Sequence, residues 1–196
     1  MATSILSRAL GHLKRPAVTL GGETYTYEHL LASGRVRAIG VSNFTVAHLE
    51  TLKKTARVWP PAVNQVELHP YHSQAALRAY CAKEGIVVQA YASLGGQDAG
   101  KATLAALGGP LLAHPAVLGA AAAHGTSAAQ VLLRWALQKG CAVVPKTTSK
   151  ARLAENLAVG GFALTNTEVA ALDALDQADS GRLCWRSDPL RMMDFE

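Results

Sequence analysis

The chain has 196 residues, 49% hydrophobic and 17% charged, with a formal net charge of +5. That length and composition describe one globular domain with a sizeable core and exclude a disordered chain. The positive charge is thinly spread, with no Lys/Arg run longer than a pair, so no nucleic-acid partner is expected, whereas a phosphorylated small molecule fits.

Cys81, Cys141 and Cys184 are widely spaced and form no CxxC. They predict no metal site, no disulfide framework and a reducing, cytoplasmic compartment. Residues 102–133 contain no Asp, Glu, Lys or Arg, but Pro110, Pro115, several glycines, His114 and His124 interrupt them, so no membrane span is expected. The first 22 residues carry Arg8, Lys14 and Arg15 and no acid, with Ile5, Leu6, Ala9, Leu10 and Leu13 near one helical face. They read as a basic surface helix, with a mitochondrial transit peptide as the alternative.

Residues 15–31, RPAVTLGGETYTYEHLL, predict a strand, a Gly-Gly hairpin turn, a second strand and a helix start. The text changes at Gly34. Val36 to Val41 reads as a strand ending in Ser42 and Asn43, and polar side chains there suit a βα loop that meets a ligand. Val46 to Arg57 reads as a helix with Leu49, Leu52 and Ala56 on one face. Ala62 to Leu68 is the next strand, with Gln65 in its middle, an amide that must find partners. Glu67 and His69 are read as structural hydrogen-bonding groups rather than as an acid and a base.

Ala75 to Glu84 is the following helix, closed by Gly85. Ile86 to Ala92 is a strand carrying Tyr91. GTSAAQVLLRWALQKG fits a helix with Val131, Leu132, Trp135 and Ala136 inward, capped by Thr126 or Ser127 and ended by Gly140. Cys141 to Val144 has the length and branching of a buried strand. Pro145 and Lys146 end it, and Thr147, Thr148 and Ser149 offer three hydroxyls where a helix starts. Arg152, Glu155 and Asn156 then share one helical face. Free N–H groups and the positive end of the dipole there attract phosphate, with Lys146 and Arg152 beside them. By spacing alone, a capped helix with solvated cations stays open as the other reading. A last helix, capped at Thr165 or Asn166, precedes an irregular tail holding Trp185.

Four of these stretches, GRVRAIGVSNF, PPAVNQVELHPYH, IVVQAYASLGG and PKTTSKARLAEN, resemble in this order the aldo-keto reductase family. These are NADP(H)-dependent carbonyl reductases built on a TIM barrel. The resemblance covers about 160 of the 196 residues and implies an α/β fold, here about the last four βα units of a (β/α)8 barrel. It implies that Ser42, Asn43 and Gln65 hold the nicotinamide amide and that the Tyr91 ring stacks on the nicotinamide. Family members often have Ser where Ala92 stands, so backbone N–H groups of Leu94 to Gly96 are left for the pyrophosphate. Lys146 and Thr147, with Thr148 beside them, grip the 2′-phosphate, Arg152 stacks over the adenine, and Glu155 and Asn156 hold its edge.

The same resemblance assigns no catalytic residue here. The family's Tyr, Lys, Asp and His come from the first half of its barrel. Lys14, Tyr25, Tyr27 and His29 match none of them. Residues 1–33 resemble the opening of adenylate-forming enzymes without the phosphate loop, and no activity is assigned to them; residues 34–196 form the reductase-like part. The expected function is therefore an NADP-dependent oxidoreductase of aldehydes and ketones by family, truncated, with a small carbonyl substrate, and inactive alone. The alternatives are a non-catalytic NADPH-binding or interaction module, or an unstable truncated isoform. Open barrel edges predict self-association.

Overall fold

The computed structural model describes residues 18–20, 23–96 and 101–184. The expected basic helix, the Gly-Gly turn and Trp185 lie outside the described residues. The hairpin strands β1 (Val18–Leu20) and β2 (Glu23–Tyr25) pair antiparallel with Thr19 opposite Thr24. α1 (Tyr27–Ala32) follows, capped by the Thr26 hydroxyl, which accepts from the His29 N–H.

Parallel strands β3 (Val41–Ser42), β4 (Val63–Glu67), β5 (Val87–Tyr91) and β6 (Ala142–Val143) follow one another in the sheet in chain order. Between them run α2 (Val46–Thr55) and α3 (Ala75–Glu84), then α4 (Lys101–Ala106), α5 (Pro115–His124) and α6 (Ala128–Gln138). α7 (Lys150–Leu157) and α8 (Asn166–Asp173) come after β6. This strand–helix alternation is what short β-rich runs separated by helical periods dictate.

The chain divides into two compact units, Met1–Val66 with Ala75–Val88, and Glu67–Gln74 with Gln89–Glu196. In the first, Phe44, Leu49, Val66, Leu77, Cys81 and Val88 form the core. Glu28 accepts the Arg57 N–H at 2.9 Å, tying α1 to the end of α2. The strand expected over Val36–Val41 shrinks to two residues. Gly40 explains the shortening: a Cβ there would lie 2.8 Å from the Val63 carbonyl oxygen, so the backbone passes too close for a regular pleat.

In the second unit α6 is the central helix, with Val131, Leu132, Leu133, Trp135 and Ala136 all buried, the four nominated residues among them. The Trp135 indole donates to Asp173 at 2.8 Å, and Lys139 pairs with the same carboxylate. Its start is settled as Ser127, whose hydroxyl and the Gln130 amide form a reciprocal cap. Thr165 and Glu168 do the same for α8. Two helices, α4 and α5, arise where the sequence predicted none. α5 (PAVLGAAAAH) is small and apolar on every side, so it carries no amphipathic stripe to read. Pro115 at its first turn and Gly125 with φ 60° at its end set its limits. Among the described residues no single helix is long and apolar enough to cross a membrane.

Candidate functional site

In the first unit the register sets Val41 opposite Asn64 and Ser42 opposite Gln65. The Gln65 carbonyl therefore takes two donors, the Ser42 hydroxyl and the Asn43 N–H, both at 2.9 Å. Asn43 adopts φ 59°, the left-handed region that Asn tolerates, and turns the chain from β3 toward α2. The next residue is locked by a group the sequence reading passed over. Asn64, fully buried, accepts the Phe44 N–H at 3.3 Å and donates to the Phe44 carbonyl at 2.9 Å. Its side-chain amide thus holds the backbone of the residue that follows Asn43. Ser42, Asn43 and Gln65 are thus brought together at the C-terminal end of two parallel strands.

In the second unit β5 and β6 pair with Gln89 opposite Ala142 and Ala90 opposite Val143, extended by Val144 N–H to the Ala90 carbonyl at 3.3 Å. Both strands therefore leave the sheet at the same end. β5 exits through Tyr91, half-buried, into a tight turn. Ala92 has φ 52°, its carbonyl accepts the Gly95 N–H at 2.8 Å, and the buried Ser93 hydroxyl donates to the Ala90 carbonyl at 3.2 Å. Gly95 and Gly96 complete it with φ 95° and 65°. Leu94 sits at the tip of this turn, half-buried.

β6 exits through Lys146, Thr147 and Thr148 into α7. The Thr147 hydroxyl accepts the Ser149 N–H at 3.1 Å, and the Ser149 side chain accepts the Arg152 N–H at 3.4 Å, capping the helix. Lys146, Thr148 and Arg152 are exposed; Thr147, Glu155 and Asn156 are half-buried. Among the described residues neither Lys146 nor Arg152 is in an ion pair. Gln130 fixes α7 to α6 by donating to the Glu155 carbonyl at 3.0 Å. The set is a cation, hydroxyls and a helix N-terminus, a donor array suited to phosphate. The sequence thus placed these residues at strand ends, and the structure gathers Tyr91, Ala92 and Leu94 in one turn and Lys146 to Asn156 in one loop and helix.

Glu67 and His69 are fully buried. His69 Nε2 donates to Glu67 at 2.9 Å, and the N–H groups of Leu183 and Cys184 reach the same carboxylate at 2.6 and 3.1 Å. Burial raises the Glu67 pKa, but the His69 ring and the two backbone donors outweigh it and hold the carboxyl below its ordinary value. Around it the 67–74 segment binds residues 176–184. His72 Nδ1 donates to the Ala178 carbonyl at 2.7 Å, Gln177 N–H to the Tyr71 carbonyl at 3.0 Å, and Ser73 to Asp176 at 2.6 Å. Burial holds the His72 pKa down, so the ring is neutral. Among the described residues no group of three or more His, Cys, Asp or Glu is arranged to hold a metal.

The aldo/keto reductase family matches residues 24–177, so the match starts ahead of Gly34. A probable NAD(P)H-dependent D-xylose reductase of Arthroderma otae is 44% identical over 152 residues, 76% of this chain and 46% of that protein. An aldo-keto reductase of Mycobacterium sp. is 37% identical over 179 residues, 91% of this chain and 60% of its own length. Among solved structures, an aldo-keto reductase complexed with NADPH superposes with a TM-score of 0.67 at 36% identity, over 76% of this chain and 45% of that one. The chain spans about half the length of most curated relatives it matches. With a family match over residues 24–177, most of its length, the chain belongs to the aldo/keto reductase family.

Proposed function

We propose that the chain is the NADP(H)-holding portion of an aldo/keto reductase. Lys146 and Thr147 take the 2′-phosphate, with Thr148 beside them. Arg152 covers the adenine and Glu155 and Asn156 meet its edge. In the same reading Tyr91, Ala92 and Leu94 serve the nicotinamide and pyrophosphate, while Ser42, Asn43 and Gln65 serve the nicotinamide amide. The observation that carries this reading is the loop between β6 and α7, where an exposed Lys146 precedes a hydroxyl-capped helix N-terminus at the same sheet end as the Ala92–Gly96 turn. The relatives' NAD(P)H dependence supports the same choice.

When bound, the cofactor supplies hydride to a carbonyl carbon. The alkoxide that results needs a proton from a positioned acid, typically worth about 10²–10⁴ in rate. The residues gathered here bind and orient, and none of them is assigned that role. The chain is accordingly read as binding NADP(H) without reducing carbonyl compounds by itself, small aldehydes and ketones being the substrates of a whole reductase of this kind. Its sheet edges at β3 and β6 are read as sites of self-association.

Lys146→Met tests the cofactor assignment. NADPH and NADH differ only in the 2′-phosphate, so the substitution weakens NADPH by at least about tenfold and leaves NADH nearly unchanged, read by fluorescence titration. Equal losses for both would remove Lys146 from the phosphate. Steady oxidation of NADPH by the purified chain with an aldehyde would overturn the assignment of no proton donor.

A further inference from the structure

The Glu67 carboxylate lies outside the set of residues read as touching the cofactor, yet its buried charge is among the most heavily engaged groups in the second unit. Its oxygens receive His69 Nε2 at 2.9 Å, Leu183 N–H at 2.6 Å and Cys184 N–H at 3.1 Å, all in the interior. An ionised carboxylate is retained in such a place only where donors replace water, and here two of the donors belong to a segment more than a hundred residues away in sequence.

What that segment touches gives the arrangement its consequence. A Cβ on Gly96 would lie 3.1 Å from Cys184 Sγ and 3.8 Å from Leu183 Cβ, so residues 183–184 rest directly on the end of the Ala92–Gly96 turn. The adjoining Leu68 N–H also donates to the Tyr91 carbonyl at 3.2 Å. The turn is therefore flanked on one side by Leu183 and Cys184, whose N–H groups the Glu67 carboxylate holds, and on the other by the Leu68 backbone bond to Tyr91. It needs bracing: Ala92 sits at φ 52°, a strained conformation for a residue with a Cβ and no polar side chain to compensate.

We propose that Glu67 is a positioning residue for the cofactor turn: by clamping the backbone of Leu183 and Cys184 it holds Ala92–Gly96 in the shape that receives the dinucleotide. This rests on the reading of that turn as a cofactor contact. Among the described residues the charged or titratable groups around the clamp include His69, His72, Arg182 and Asp176; His72 and Asp176 pin the same segment through Ala178 and Ser73.

The thiol of Cys184 reports the clamp directly, because it is half-buried while Cys81 and Cys141 are buried at 0% and 4% exposure. The experiment labels wild type, Glu67→Gln and Glu67→Asp with a maleimide, maps the modified cysteine by mass spectrometry, and titrates each protein with NADPH. Glu67→Gln keeps the shape but replaces an ionised acceptor with an amide. The expected result is about tenfold faster labelling at Cys184 with Cys81 and Cys141 still slow, and about fivefold or more weaker NADPH binding. Glu67→Asp, which keeps the charge, recovers part of both.

A variant-free measurement covers the case in which Glu67→Gln does not fold. Coupling between two events is reciprocal, so if the clamp favours NADPH, saturating NADPH must slow Cys184 labelling in the wild type. Unchanged labelling in Glu67→Gln would overturn the clamp. Faster labelling with unchanged NADPH affinity, or no protection of Cys184 by NADPH, would overturn the positioning role. Wild type that binds no NADPH would overturn the underlying reading of the turn, and the positioning role with it.

Discussion

Gly181 is the position where one methyl group tests the seating of the whole 176–184 segment. It is buried in the 3-10 turn Ala178–Gly181, and a Cβ there would overlap the Tyr71 carbonyl oxygen and lie 2.5 Å from its carbonyl carbon. Carbon–carbon contacts settle near about 3.5–4.0 Å, so Gly181→Ala forces the backbone away by about 1 Å. That displacement carries the Gln177 N–H to Tyr71 bond (3.0 Å) and the His72 to Ala178 bond (2.7 Å) past useful range. Each is worth about 1 kcal/mol, and losing one of the two backbone bonds to the Glu67 carboxylate adds about 2 kcal/mol. The expected destabilisation is about 4 kcal/mol, a large part of the about 5–15 kcal/mol typical of a domain. Urea unfolding followed by circular dichroism reads it, with the slope compared so that a change in cooperativity is not taken for a change in stability. Gly160→Ala is the control, since a Cβ there meets nothing within 4 Å, and it shifts stability by less than about 1 kcal/mol. A Gly181→Ala protein within about 1 kcal/mol of wild type would refute the seating of this segment on Tyr71.

Asn64→Ala leaves the Phe44 N–H and carbonyl without their buried partner, which costs about 2–3 kcal/mol in urea melts; it also loosens Asn43 and weakens NADPH, and full retention of both would detach Asn64 from the site. Acid weakens the second unit through His72, Glu67 and Asp176. Burial keeps folded His72 neutral while the unfolded chain binds a proton below about pH 6.5, so stability falls as pH drops through that value. Burial also raises Glu67 and Asp176, but their hydrogen bonds outweigh it and leave both pKa values lowered, so their contribution is present above ordinary carboxylate values and is lost at lower pH. Urea midpoints that stay flat or rise from pH 8 to pH 5 would contradict the His72 part.

What could be read along the chain was what local rules fix. The reciprocal caps Ser127–Gln130 and Thr165–Glu168 span three residues, so spacing alone reveals them once the helix is suspected. The bounds of α3 and the inward face of α6 follow in the same way from period and end signals. Helix α5 escaped because alanine and glycine on every side leave no period to detect. β3 was overextended because Gly40 looks like any strand-end residue until the Val63 carbonyl is placed against it. The candidate cofactor residues were nominated through resemblance; spacing alone left the β6–α7 loop open to a plain capped helix.

The residues that fix the backbone beside those nominated ones were legible only in part: Glu67 read as a structural hydrogen-bonding group without its partners, and Asn64 was passed over. Asn64 acts through the backbone of Phe44, and Glu67 through the backbone N–H groups of Leu183 and Cys184. Backbone donors are the same at every position, so the partner leaves no mark in the sequence, and an Asn or Glu in a strand reads only as a polar group needing some partner. The candidate site therefore has two layers with different legibility. The side chains that would meet a ligand sit where parallel strands end, because there alone the backbone leaves the ladder and frees polar groups to face outward. The turns presenting them, Asn43 at φ 59° and Ala92 at φ 52°, lie beside backbone that buried polar groups of their own unit hold, Asn64 at Phe44 and Glu67 at Leu183 and Cys184. Substitutions in that inner layer should thus lower cofactor affinity without touching the cofactor, and the Cys184 labelling rate separates that route from loss of a direct contact.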